Sequence, residues 1–159
     1  MGGATRTVLS FMAAVLAGAC VDTALSLVVD VDGGSASATE DLVNVSIDAS
    51  IRVGEFAVSG DTFTLPGADL FVGETPIAQL VLNRPEGFTN TLEPGQSTRV
   101  TITGMGRVTS DARATLCASE TATVLLQWRA EEQPDDDLDP PLGDMGASEG
   151  TLTVTCPSL

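Results

Sequence analysis

From residue 23 onward, apolar and polar side chains alternate with a period of two, the spacing at which a β-strand shows one face to a core and the other to water. The clearest run puts Val43, Val45, Ile47, Ala49, Ile51 and Val53 on one side, against Leu42, Asn44, Ser46, Asp48, Ser50 and Arg52 on the other. It predicts a half-buried strand. Leu25, Leu27, Val29 and Val31 alternate in the same way, and Asp32-Gly33-Gly34-Ser35 is expected to end that strand in a small-residue loop reaching Thr39. Short strands are predicted at Phe56–Val58, Thr62–Leu65 and Ala68–Val72, with turns at Ser59-Gly60-Asp61 and Pro66-Gly67. Ile77–Leu82 predicts another, stopped by Arg84-Pro85-Glu86-Gly87.

Further along, Pro94-Gly95 predicts a turn that feeds a strand with Val100 and Ile102 inward. Residues 92–103 thereby resemble a turn-and-strand pattern of bacterial immunoglobulin-like domains. Arg107–Cys117 and Thr121–Arg129 read as a strand pair joined by Ala118-Ser119-Glu120, and Thr151–Cys156 as the last strand. No segment carries a helical stripe. The expected fold is all-β: an antiparallel immunoglobulin-like β-sandwich of about 7–9 strands over residues 23–159, with a long acidic loop before the last strand. Trp128 is expected in its core.

The amino terminus reads differently. Arg6 is the one charge before the uncharged run Val8–Ala19, which is too short to span a bilayer and ends in small residues. Residues 1–19 are therefore expected to be a signal peptide. Leu16-Ala17-Gly18-Ala19-Cys20 resembles the lipobox of bacterial lipoproteins, although the leucine stands four residues before the cysteine where three is commonest. The resemblance implies lipidation of Cys20 and a short tether over residues 20–22. Ala17-Gly18-Ala19 would also serve ordinary signal peptidase, whose product is secreted without an anchor. Assigning Cys20 to lipid leaves Cys117 and Cys156 as a pair in an oxidising compartment, the alternative being two separate buried thiols. A bridge would close a loop of about 38 residues, for roughly 4 kcal/mol of loop-closure entropy.

Charge narrows the choice of partner. The chain has 22 acidic and 7 basic residues, all arginine, for a net charge of −15. Such a field repels nucleic acid and anionic membranes, so membrane contact is expected through the lipid anchor only. Arg52, Arg99 and Arg107 are expected on outer strand faces as screened partners of the carboxylates. Residues 131–150 hold eight of the acids and three prolines, and are expected to form the acidic loop.

Candidate chemistry is thin. With no histidine, lysine or tyrosine and no G-x-S-x-G elbow, the usual bases and nucleophiles are missing. The glycines of Thr103-Gly104-Met105-Gly106 lack the helix that a phosphate loop requires. Zinc is disfavoured by the same inventory. Calcium is the candidate ion: Asp135, Asp137 and Asp139 alternate as the first ligands of an EF-hand do. Pro140 and Gly146 occupy the positions where that loop needs glycine and glutamate, so only a looser site, joined by Asp144 or Glu149, fits. Asp30 and Asp32 form a weaker oxygen pair, and a solvated acidic surface is the preferred reading of both clusters. The expectation is an exported, non-enzymatic interaction or structural module of the bacterial cell envelope, lipid-anchored at the outer membrane or cell surface and otherwise periplasmic or secreted. Its partner would be an unidentified envelope or surface protein. A calcium-dependent adhesion module is the alternative, and a carboxylate-based hydrolase comes third.

Overall fold

The computed structural model describes residues 27–55, 61–85, 87–131 and 143–157. The alternation over residues 42–53 becomes strand β2 (Leu42–Val53), with all six predicted core residues buried, none more than 6 % exposed. In chain order the other elements are β1 (Leu27–Thr39), β3 (Asp61–Val72), β4 (Thr75–Leu82), β5 (Thr91–Leu92), β6 (Ser97–Arg107), α1 (Ser110–Cys117), β7 (Thr121–Glu131) and β8 (Gly143–Val154). β2 is antiparallel to β1 on one side and to β6 on the other along its whole length, so its inward face is central to the core.

The strands form one sheet in the order β4-β6-β2-β1-β8-β7-β3, and β3 pairs back onto β4. The all-β class therefore holds, but the architecture is a closed seven-strand barrel and not the expected two-sheet immunoglobulin-like sandwich. β5 adds a short flap to the start of β3. Neighbours are antiparallel except β1 and β8, which run parallel and pair at Ser35↔Thr153 and Ala36↔Val154. Closure removes most strand edges and turns every inward side chain toward one axis. Phe63, Ile47, Leu70, Ile102, Leu126 and Leu152 fill that interior.

Closure depends on strands that bend without ending. In β1 the register shifts between Val31 and Gly33, leaving one extra residue. The inward face accordingly changes parity, from Leu27 and Val29 to Ala36 and Ala38. β3 does the same between Thr64 and Gly67 against β7, passing from Phe63 inward to Ala68 and Leu70. The expected loop at residues 32–39 and the expected turn at Pro66-Gly67 are thus β-bulges inside continuous strands. Gly33 and Gly34 sit at φ +149° and +142°, where L side chains are strained. A Cβ on Gly34 would in addition overlap the Ser46 carbonyl and come 3.0 Å from Leu152 Cδ2.

Two other expectations change. Residues 110–117, read as strand, form helix α1. Thr109 caps it, its hydroxyl accepting from the Ala112 N–H at 3.2 Å, and Asp111 lies in the first turn where the helix dipole favours an acid. The helix packs on β4 and β1 with Leu116 fully buried. The acidic segment is also shorter than expected, because Glu131 ends β7 and residues 143–150 pair with it in β8. Gly146, which read as loop, lies under the Trp128 indole, where a Cβ would meet Cε2 at 2.6 Å. Trp128 packs against the core as expected, and its Nε1 donates to the Ser148 hydroxyl, which in turn donates to the Val29 carbonyl. That relay ties β7, β8 and the first half of β1 together where β1 and β8 share no ladder pairs.

Two stability measurements test this account. Gly33→Ala meets no atom within 4 Å, so only backbone strain acts, about 1–3 kcal/mol. Gly34→Ala should lose about 1–3 kcal/mol more through overpacking. Urea unfolding followed by the single tryptophan should show the larger loss at Gly34, and equal midpoints would refute close packing at the bulge. Replacing Cys117 and Cys156 together by serine should lower stability by about 2–5 kcal/mol in the same assay.

Candidate functional site

The two ends of the barrel differ. At one end lie the β1–β2 and β3–β4 turns, helix α1 and the end of β8. Cys117 at the close of α1 and Cys156 just beyond β8 are joined there by a disulfide, with Cα atoms 5.5 Å apart. The Thr155 N–H continues past β8 by donating to the Ala36 carbonyl at 2.9 Å. This end is stapled.

At the opposite end the wall is incomplete. β4 pairs with β6 at Val81↔Met105 and Leu82↔Gly104, and the chain then leaves β4 as a loop whose described residues are 83–85 and 87–90. A Cβ on Gly104 would come 2.8 Å from Leu82 Cδ2, so this junction is close-packed even though it is short. Beyond it, the first part of β3 turns to β5, with the Phe63 N–H donating to the Asn90 carbonyl at 2.8 Å. The loop covers the gap between β3 and β6. Phe88 anchors it edge-on to Phe63, ring centroids 5.7 Å apart at 82°.

A cleft opens on each side of this loop. Toward β3 lies an apolar one of about 210 Å³, lined chiefly by Phe63, Leu65, Leu82, Pro85 and Phe88. Toward β6 lies a polar one of about 440 Å³, lined by Arg84, Phe88, Thr98, Arg99, Thr101 and Thr103 among others. No carboxylate lines the second cleft among the described residues. The Arg84 guanidinium donates to the Phe88 carbonyl at 3.2 Å, and Arg99 has no hydrogen-bond or ion-pair partner among the described residues.

On the remaining outer faces several charged side chains are paired within the fold. Asp30 pairs with Arg52 at 2.5 Å, both side chains about half exposed, and Glu131 pairs with Arg129 at 2.6 Å. Exposed pairs of this kind contribute about 0–1 kcal/mol. Asp32 accepts from the Ser50 hydroxyl at 2.5 Å, Asp48 from Thr101 at 2.7 Å, and Asp69 from the Gln127 amide at 3.1 Å. Arg52 thus takes its expected carboxylate partner, whereas Arg99 and Arg107 have none among the described residues.

Of the residues singled out by sequence, the structure brings Cys117 and Cys156 together. Asp30 and Asp32 are separated into the two different contacts just described. Cys20 and the candidate calcium ligands Asp135, Asp137 and Asp139 lie outside the described residues. Among the described residues, no group of three or more carboxylates or thiols is placed to hold a metal. The arginine-lined cleft was missed by sequence reasoning. Its available signal was the scarcity of cations: Arg84 and Arg99 belong to a set of seven in the whole chain.

No protein-family model and no curated protein matches the chain. Among solved structures it is similar to AggA, the major subunit of aggregative adherence fimbriae type I from Escherichia coli. The identity is 9 %, the TM-score 0.40, and the match covers 82 % of this chain and 94 % of that one. A second similarity is to a protein from Archaeoglobus fulgidus, with 13 % identity and a TM-score of 0.32, covering 82 % of this chain and 98 % of that one.

Proposed function

We propose that this chain is an exported, non-enzymatic interaction module of the bacterial cell envelope, tethered by lipid on Cys20 and acting through its outer surface on a protein partner. The observation that carries the reading is the Cys117–Cys156 disulfide, a bond at home in oxidising compartments outside the cytosol. Two features support it further. The interior of the barrel is filled by apolar side chains, so recognition is left to the rim and the outer faces. The rim that carries both clefts is also the end from which β1 starts.

A tether from Cys20 to Leu27 spans about 25 Å at full extension. Lipid on Cys20 therefore keeps the start of β1, at the cleft-bearing rim, within that distance of the anchor. In this arrangement the clefts lie within reach of a membrane-proximal partner. The calcium-dependent alternative rests on residues outside those described, and no observation favours it or the hydrolase reading.

The anchor is tested by expressing the full chain in a host with lipoprotein-processing enzymes and weighing the product of each fraction. The expected species lies in the membrane fraction, begins at Cys20 and carries acyl mass, and Cys20→Ser moves the protein to the soluble exported fraction. An unmodified soluble chain beginning at residue 20 overturns the anchor.

A further inference from the structure

Ladders of very different length hold the barrel shut. β2 is paired along its whole length on both sides, and β8 is paired with β7 from Gly143 to Thr153. Between β1 and β8, by contrast, the described residues share the pairs Ser35↔Thr153 and Ala36↔Val154. This pairing is parallel, which is slightly less stable per residue than an antiparallel ladder. Away from those pairs the two strands touch through side chains. Val31 fills the space beside Gly150, where a Cβ would overlap it. The Ser148 hydroxyl bridges the Trp128 indole to the Val29 carbonyl.

The short ladder lies beside the disulfide. The Thr155 N–H donates to the Ala36 carbonyl at 2.9 Å, and the next residue is Cys156. Its partner Cys117 closes α1, which packs on β4 and β1. The bridge therefore holds the end of β8 against the helix that leans on β1. The Val154 N–H points the other way and donates to the Glu120 carbonyl at 2.9 Å, on the β7 side. Neighbouring amides thus report separately on the two sides of β8. Cys117 is exposed and Cys156 half-buried, so the bond is open to attack from solvent.

We propose that the β1–β8 seam is a redox-controlled opening in the barrel wall, with the Cys117–Cys156 bond as its latch. The reductant is a dithiol of the thiol–disulfide oxidoreductase class. One of its thiolates attacks the exposed Cys117 sulfur and expels Cys156, which takes up a proton. Its second thiol then displaces Cys117, and the reductant leaves as a disulfide, having given the protein two electrons and two protons. With the latch released, the seam parts while β8 stays on β7 and β1 stays on β2. Each of the two strands then gains an unpaired edge. The inference rests on the reading of the chain as exported, which the anchoring experiment tests separately. The experiment below uses purified protein, so either can fail alone.

The test is amide hydrogen exchange of the ¹⁵N-labelled, disulfide-bonded mature chain, with dithiothreitol as the dithiol. Cys20→Ser leaves Cys117 and Cys156 as its two cysteines. Reduction is expected to speed exchange at Thr155 about tenfold or more, while Val154 and the amides of β2 remain protected. Trp128 emission is expected to move to longer wavelength as the Ser148–Val29 contact parts. Reoxidation should restore both signals. Equal loss of protection at Val154 and Thr155 overturns the proposal, because the tail would then fray from both neighbours. Loss of protection throughout β2 also overturns it, and would make the bridge a staple of the whole fold. Unchanged exchange at Thr155, unchanged emission, or failure of either signal to recover does so as well.

Discussion

A sheet can close on itself only if some of its strands bend sharply while keeping their ladders, and in this protein bulges within β1 and β3 help to meet that demand. At Val31–Gly33 and again at Thr64–Gly67, one extra residue enters a strand and reverses which side chains face inward. Without the reversal, β1 would carry Leu27 and Val29 to the core at one end and put Ala36 and Ala38 in water at the other. The bulges therefore do two jobs at once: they curve the wall and keep a continuous apolar lining along it. Gly34 is the tightest point of this construction, since β1 passes there against the Ser46 carbonyl with no room for a side chain.

The functional surface follows from where closure stops. At the stapled end, α1, the disulfide and the Thr155–Ala36 hydrogen bond finish the barrel with covalent and main-chain links. At the other end, β3 and β4 diverge after Ala68↔Leu80, and a loop anchored by Phe88 on Phe63 replaces a missing length of ladder. Aromatic packing seals the apolar side of that gap, but it supplies no hydrogen bonds to the edge of β6. The polar cleft thus comes from the same geometric shortfall that ends the barrel, with threonines and two arginines around groups that the fold leaves unbonded.

How much of this was legible depends on how far each feature is decided locally. β2 was read correctly, because a strand paired on both sides, with one face in the core, has no choice but to alternate. The bulges were misread as a loop and a turn, since Gly-Gly and Pro-Gly carry the same local signal whether a strand ends or only kinks. The first half of β8 was missed because Gly146 makes room for a neighbour's ring, so the alternation is carried by Trp128 across the strand pair and not by β8 itself. Helix α1 buries Leu116 fully and shows no apolar stripe, and only the Thr109–Asp111 cap announced it. Barrel and sandwich share one alternation, and which strands meet at the closing seam is settled by tertiary packing.

The charge of the chain acquires a different meaning once its arginines are placed. Read as a total, −15 argues against any anionic ligand. Yet that total is felt through solvent, and screening at physiological salt confines an exposed charge to about 8 Å. Arg52 and Arg129 are absorbed by Asp30 and Glu131 on strand faces, and the nearby Asp48 is occupied by Thr101. Arg84 and Arg99 form no ion pair among the described residues, but Arg99 lines an outer-face cleft together with Asp32 and Asp48, so carboxylates stand close to it as well. The net charge is thus an average over faces on which arginines and carboxylates stand side by side, and only their placement in the fold says which of them are paired.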